Sequence, residues 1–167
     1  EEQAVPRELM NAYSTLAKDC EQTAASLLST MTKRDMQRVH GDCHTGNILW
    51  RDDTPHFVDL DDCVSGPAIQ DIWMFLSGDR FQQERQLSEF VSGYEEFHEF
   101  DSRQLAWIEA LRTLRIMHHA FWLASRWDDP AFPRAFPWFG QARFWSDHIL
   151  ELREQLGLMQ EPTLRLL

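Results

Sequence analysis

The chain has 167 residues, 43% of them hydrophobic, with a formal net charge of −11; that length supports one good core and one domain. The acidity argues against nucleic acid as the main partner, because binding a phosphate backbone calls for basic patches. Three cysteines with no Cys-x-x-Cys pair argue against a disulfide framework or a Cys-rich zinc site and fit a reducing cytoplasm.

The acidic start, Glu1-Glu2-Gln3, has none of the character of a signal peptide, and no apolar run approaches the roughly 20 residues of a membrane span. From Pro6 to about Met31, Leu9, Tyr13, Leu16, Cys20, Ala24, Leu27 and Met31 recur at helical spacing and predict one long helix. Arg38-Val39-His40 reads as a short strand leading into a loop over residues 40–49. Asn47 to Trp50 and His56 to Leu60 read as two β runs, joined by Arg51 to Pro55 with turn chemistry at Asp52-Asp53. Such a hairpin returns Asp59 to the neighbourhood of Asn47. Pro67 suits a helix start, and the apolar run Ile69 to Leu76 predicts a buried helix.

After Asp79 the pattern is helical. Phe81 to about His98 places Leu87, Phe90, Val91, Tyr94 and Phe97 on one face. Asp101 with Gln104 reads as a capping box for a helix reaching Trp127, with Leu105, Ile108, Leu111, Leu114, Ile116, Met117 and Phe121 towards the core. Three prolines in Asp128 to Gly140 predict a loop there, and a last helix spans about Gln141 to Leu156 with Gly157 as its stop. The aromatics Trp127, Phe132, Phe136, Trp138 and Phe139 either line a cleft or pack this loop onto the helices; packing is the simpler expectation.

The chemistry concentrates in His40-Gly41-Asp42-Cys43-His44-Thr45-Gly46-Asn47 and, across the hairpin, Asp59. A carboxylate, a carboxamide five residues on and a second carboxylate make a set that can orient a hydroxyl and hold Mg²⁺ on ATP. Asp42 would accept or orient the hydroxyl proton. Asn47 and Asp59 would offer hard oxygens to the metal, and Gly46 would permit the sharp turn before Asn47.

Other readings of the same residues compete. His40, Asp42 and His44 alternate, and on a strand all three would face one zinc, as in a metal hydrolase. That reading leaves Gly46-Asn47 and the hairpin without a role. Cys43 beside a histidine suggests a nucleophile, but adjacent residues rarely present the geometry. His118-His119 point about 100° apart on a helix and do not make a ligand pair.

His-Gly-Asp-x-His-x-x-Asn (40–47), Val58-Asp59-Leu60-Asp61 and Gly66-Pro67-x-x-x-Asp71-Ile72 together resemble the aminoglycoside phosphotransferase and choline kinase superfamily. The continuation Asp71-Ile72-Trp73-Met74-Phe75-Leu76-Ser77-Gly78-Asp79 and Trp127-Asp128-Asp129-Pro130-Ala131-Phe132-Pro133 narrows the resemblance to its bacterial stress-response Ser/Thr protein kinases, which are cytoplasmic. The resemblance implies Asp42 as the catalytic aspartate. It implies Asn47 and Asp59 as ligands of Mg²⁺-ATP, with Asp61 as a further candidate. His40, His44 and Asp71 become structural supports of the loop, Asp71 by accepting its backbone N–H groups. The implied acceptor is a Ser/Thr hydroxyl of a protein. A small-molecule kinase acting on an amino alcohol, sugar or aminoglycoside shares all this chemistry, and a non-catalytic binding module of the same fold is the third alternative.

The resemblance implies a mainly α fold with a small β-hairpin, the large C-terminal lobe of a protein-kinase-like enzyme, over residues 1–167. The catalytic loop is then 40–49 and the metal-binding segment 57–62. The β-rich N-terminal lobe with its phosphate-pairing lysine is not recognisable here, and the seven glycines form no Gly-rich loop. The expected partners are ATP, a protein substrate and that N-terminal lobe, with no membrane, a monomeric state and little activity for the large lobe alone.

Overall fold

A computed structural model describes residues 4–167. It is mostly helical, with two small antiparallel sheets, and it divides into two compact units. The first comprises the segment up to Ser29 together with Glu109–Glu161, and the second Thr30–Ile108 with Pro162–Leu167. Among the described residues no helix is long and apolar enough to cross a membrane.

In the first unit, helix α1 (Arg7–Leu28) buries Leu16, Cys20 and Ala24, as its periodicity predicts. Helix α4 (Ile108–Ala124) leads through the short α5 (Ala131–Ala135) to α6 (Ala142–Leu158), which packs on α1. Their shared core holds Leu16, Cys20, Ala24, Ala110, Ile149, Leu152 and Met159. On α4 the small residues Ala110, Thr113 and Ala120 are essentially solvent-free. The buried stripe of α4 therefore runs through 110, 113, 120 and 123, and this corrects two expectations. Leu114 and Phe121, expected to face the core, are exposed, since each lies about 100° from a buried neighbour. His118 and His119 both lie on the exposed face.

A second cluster, Val5, Ala120, Leu123, Trp127, Phe139 and Trp145, absorbs the aromatic segment. Phe139 is fully buried, with ring centroids 5.0 Å from both Trp127 and Trp145. These aromatics pack the segment onto the helices. The segment is not wholly irregular, as expected from its prolines. Pro133 fits inside α5 because it falls in the first turn, where an N–H has no intrahelical partner to lose. Gly157 does not stop α6, which passes through it to Leu158 and ends on the buried cap Met159.

In the second unit, β1 (Gln37–Val39) pairs with β4 (Val64–Gly66), and β2 (Ile48–Arg51) pairs with β3 (Thr54–Phe57). A strand was expected before His40 but not its partner β4, since Val64-Ser65-Gly66 carries no alternation of its own. The β2–β3 turn is tighter than expected. Only Asp52 and Asp53 form it, both with positive φ (50° and 56°), the backbone that matches the strand twist in two-residue hairpins.

The helix expected over 69–76 is split into α2 (Ile69–Ile72) and a 3-10 turn, Trp73–Phe75. Its apolar run reflects burial on several sides, with Ile69, Ile72, Trp73 and Leu76 all buried. A capping box opens α3 (Arg80–Glu95): Asp79 Oδ1 accepts the Gln82 N–H at 2.9 Å, and Gln82 Oε1 accepts the Asp79 N–H at 2.9 Å. Phe97 lies beyond the last turn of α3 and is exposed instead of core-facing.

The expected box at Asp101 does not form. Asp101 accepts the Arg103 N–H at 3.0 Å, but Gln104 turns inward and accepts the buried Ile69 N–H at 3.1 Å. The segment Ser102–Trp107 is a 3-10 run, and α4 starts only at Ile108. The tail lies along α3: the Arg80 guanidinium donates to Thr163 O at 2.6 Å, and Leu167 N donates to Ser88 Oγ at 2.8 Å.

Candidate active site

The candidate site lies wholly in the second unit and is built by β1, the loop after it, the β2–β3 hairpin and α2. β1 ends at Val39, so His40 already belongs to the loop. Asp71, in α2, holds the loop's entry: its Oδ2 accepts the His40 N–H at 2.7 Å and its Oδ1 the Gly41 N–H at 2.9 Å. Next to it, Gln70 Nε2 donates to the Gly41 carbonyl at 2.9 Å.

Gly41 has φ +86°, and a Cβ there would stand 2.2 Å from the carbonyl oxygen of Asp62. Both facts require glycine. The chain that follows Asp59 is thereby pressed directly against the start of the loop.

Asp42 is partly buried, with 17% of its side chain exposed. Its carbonyl accepts the His44 N–H at 3.0 Å and the Asn47 side-chain N–H at 3.0 Å. Asn47 is buried. Its amide nitrogen is committed to Asp42, so the amide oxygen is left as an acceptor without a protein donor among the described residues. That is the atom a hard cation would use.

His44 Nδ1 accepts the Gly46 N–H at 3.0 Å, so its proton sits on Nε2, which stands 3.6 Å from Asp42 Oδ2. Gly46 lies in the tight 3-10 turn Thr45–Asn47, as expected, though its φ is not positive. It is glycine because a Cβ would meet the His44 ring at 2.7 Å.

His40 is buried and its Nε2 donates to the Val58 carbonyl at 2.9 Å. Val58 N in turn donates to the Asn47 carbonyl at 3.0 Å. These bonds return the hairpin to the loop, one residue before Asp59. Asp59 itself has left-handed backbone (φ 62°, ψ 61°) and is exposed. An aspartate tolerates this conformation at a cost on the order of 1 kcal/mol, a strain that clusters at functional sites. Asp61 is exposed in the following 3-10 turn, Leu60–Asp62.

Among the described residues no three His, Cys, Asp or Glu side chains gather to hold a metal on their own. His40 and His44 each spend a ring nitrogen on backbone and do not converge as a zinc pair. The oxygens of Asn47 and Asp59 do suit Mg²⁺, which needs only one or two protein ligands besides phosphate and water. Cys43 is buried, and burial first, then Asp71 and Asp42, pushes its thiol up to about 11. It stays protonated at neutral pH and is no nucleophile.

Gln70 is the residue that sequence reasoning missed. It sits inside an apolar run, and nothing in its spacing distinguishes it from a surface glutamine. Around the hairpin, Leu49, Trp50, Phe57, Leu60 and Val64 are each more than half exposed, an unusual concentration of apolar surface.

The profile of the phosphotransferase enzyme family matches residues 2–108. Stress response kinase A of Escherichia coli O157:H7 is 51% identical over 129 residues, which cover 77% of this chain and 39% of that protein. Stress response kinase A of Escherichia coli strain K12 and the serine/threonine protein kinase RdoA of Salmonella typhimurium are each 50% identical over the same shares. The chain thus spans about two fifths of the length of these curated relatives.

Proposed function

The chain belongs to the phosphotransferase enzyme family, and on that premise we propose that its 40–49 loop serves transfer of the γ-phosphoryl group of Mg²⁺-ATP to a serine or threonine hydroxyl of a protein. The observation that carries this reading is the arrangement of Asp42. Its backbone is tied on one side to α2 and on the other to Asn47, while the hairpin returns to the loop one residue before Asp59. Asp42 orients the acceptor hydroxyl and takes up its proton. The His44 Nε2–H faces Asp42 Oδ2 at 3.6 Å. Asn47 Oδ1 and the Asp59 carboxylate would hold the metal, with Asp61 as a further candidate. Mg²⁺, when bound, neutralises charge on the phosphates and aligns them for in-line attack. The protein acceptor is favoured by the names of the relatives, two of them stress response kinases and one a serine/threonine protein kinase.

Residues 1–167 act in this reading as the large helical lobe, in the cytoplasm. The apolar surface at Leu49, Trp50, Phe57, Leu60 and Val64 is then the floor on which a second, β-rich lobe closes over the nucleotide. Incubating residues 1–167 alone with Mg²⁺-ATP and casein should give no transfer above background, while the complete protein phosphorylates it. Robust turnover by the isolated segment would overturn the two-lobe reading. Phosphate appearing on choline or an aminoglycoside and not on casein would move the acceptor from protein to small molecule.

Asp59→Ala in the complete protein should raise KM for Mg²⁺-ATP about tenfold or more and lower kcat as well, because a charged ligand worth several kcal/mol in the transition state is lost. Titration of Mg²⁺ at fixed ATP checks it; an unchanged magnesium dependence would remove Asp59 from the metal site.

A further inference from the structure

We propose that Gln70 is a positioning residue for Asp42, acting through the peptide that joins Gly41 to Asp42. The inference deepens the phosphoryl-transfer reading and rests on it.

The direction of a side chain is set by the peptide planes on either side of its Cα. Three successive planes lead into Asp42, and α2 holds all three. Asp71 takes the N–H of the 39–40 plane and the N–H of the 40–41 plane. The 41–42 plane has its carbonyl held by Gln70 Nε2 at 2.9 Å. The plane after Asp42 has its carbonyl held by Asn47 Nδ2 at 3.0 Å. Asp71 thus stops one plane short of the catalytic residue, and Gln70 supplies the bond that reaches it.

That last plane would otherwise be the freest of the four. It follows Gly41, which has no side chain to restrict its ψ. Gln70 is itself oriented: its Oε1 accepts the Trp73 Nε1–H at 3.4 Å, which turns the amide nitrogen towards Gly41. Trp73 is buried. The chain of bonds runs from a fixed indole through an amide to the carbonyl beside Asp42.

A misplacement near 1 Å at a reacting group costs up to about a hundredfold in rate. The test uses the complete protein, with transfer from Mg²⁺-ATP to casein, in Gln70→Glu and Gln70→Met. Both keep the length of the side chain and lose the donor at neutral pH. We expect kcat to fall on the order of tenfold to a hundredfold, with KM for ATP changed by less than about twofold and the melting temperature held, the pattern of an interaction that matters to the transition state alone.

The glutamate variant should regain activity relative to the methionine variant as pH is lowered from 7 towards 5, because a protonated carboxyl can again donate to the Gly41 carbonyl. A residue that merely packs α2 would not move that ratio. Wild-type kcat in Gln70→Met, or a loss that tracks melting temperature with a flat ratio, overturns the proposal. Asp42→Ala in the same assay separates the two readings: if it retains turnover, both fall, and if it is inactive while Gln70→Met is normal, only the positioning role falls.

Discussion

Asp42→Ala in the complete protein should lower kcat for phosphoryl transfer by about a hundredfold to ten-thousandfold, the range in which a positioned acid–base group contributes. KM for Mg²⁺-ATP should stay near its original value. The metal ligands proposed are Asn47 and Asp59, and the Asp42 carbonyl supports the loop by accepting from His44 and Asn47. That carbonyl survives substitution of the side chain. Asp42→Asn is the sharper variant: it keeps the shape and removes the charge facing His44 Nε2. Single-turnover transfer with bound ATP measures the chemical step directly. Near-normal rates in both variants would remove Asp42 from the reaction and with it the kinase reading.

Asp71→Ala should be the most damaging change for structure and activity together. It leaves the N–H groups of His40 and Gly41 without the acceptors they have at 2.7 and 2.9 Å. Orphaning a buried donor costs about 1–3 kcal/mol, so a loss of about 2–5 kcal/mol is expected, reduced where water enters. Asp71→Asn keeps one acceptor oxygen and should fall between. Urea unfolding midpoints order the three proteins. Transfer activity should drop by about a hundredfold in the alanine variant even below its unfolding transition, because the first two planes of the loop are released. Equal stability of the alanine and native proteins would show that the two bonds do not hold the loop.

Both expectations begin from residues whose local chemistry reads directly along the chain. The Asp52-Asp53 turn and the return of Val58 to Asn47 depend on contacts within some twenty residues, and short-range hydrogen bonding leaves clear marks on composition. The long helices were legible for the same reason, in their apolar spacing. What escaped is what depends on distant partners. β4 is a strand only because β1 lies beside it, and Val64-Ser65-Gly66 has no alternation of its own. Asp101-x-x-Gln104 has the form of a capping box, yet Gln104 is claimed by Ile69. Phe121 fits an apolar period on α4, but the stripe that turns inward runs through Ala110 and Ala120. At the site, the alternation of His40, Asp42 and His44 suggested a shared metal only if the segment were extended; the turn at Gly41 removes that premise.

The contact between Gly41 and the Asp62 carbonyl makes the two arms of the cleft a single mechanical part. In the proposed reading one arm would carry the group that receives a proton and the other the group that grips the nucleotide's cation, and their backbones meet at this glycine. Neither arm can drift to suit a new substrate without dragging the other out of register. Retuning such an enzyme towards another alcohol must therefore be done in the surrounding walls, leaving this junction untouched.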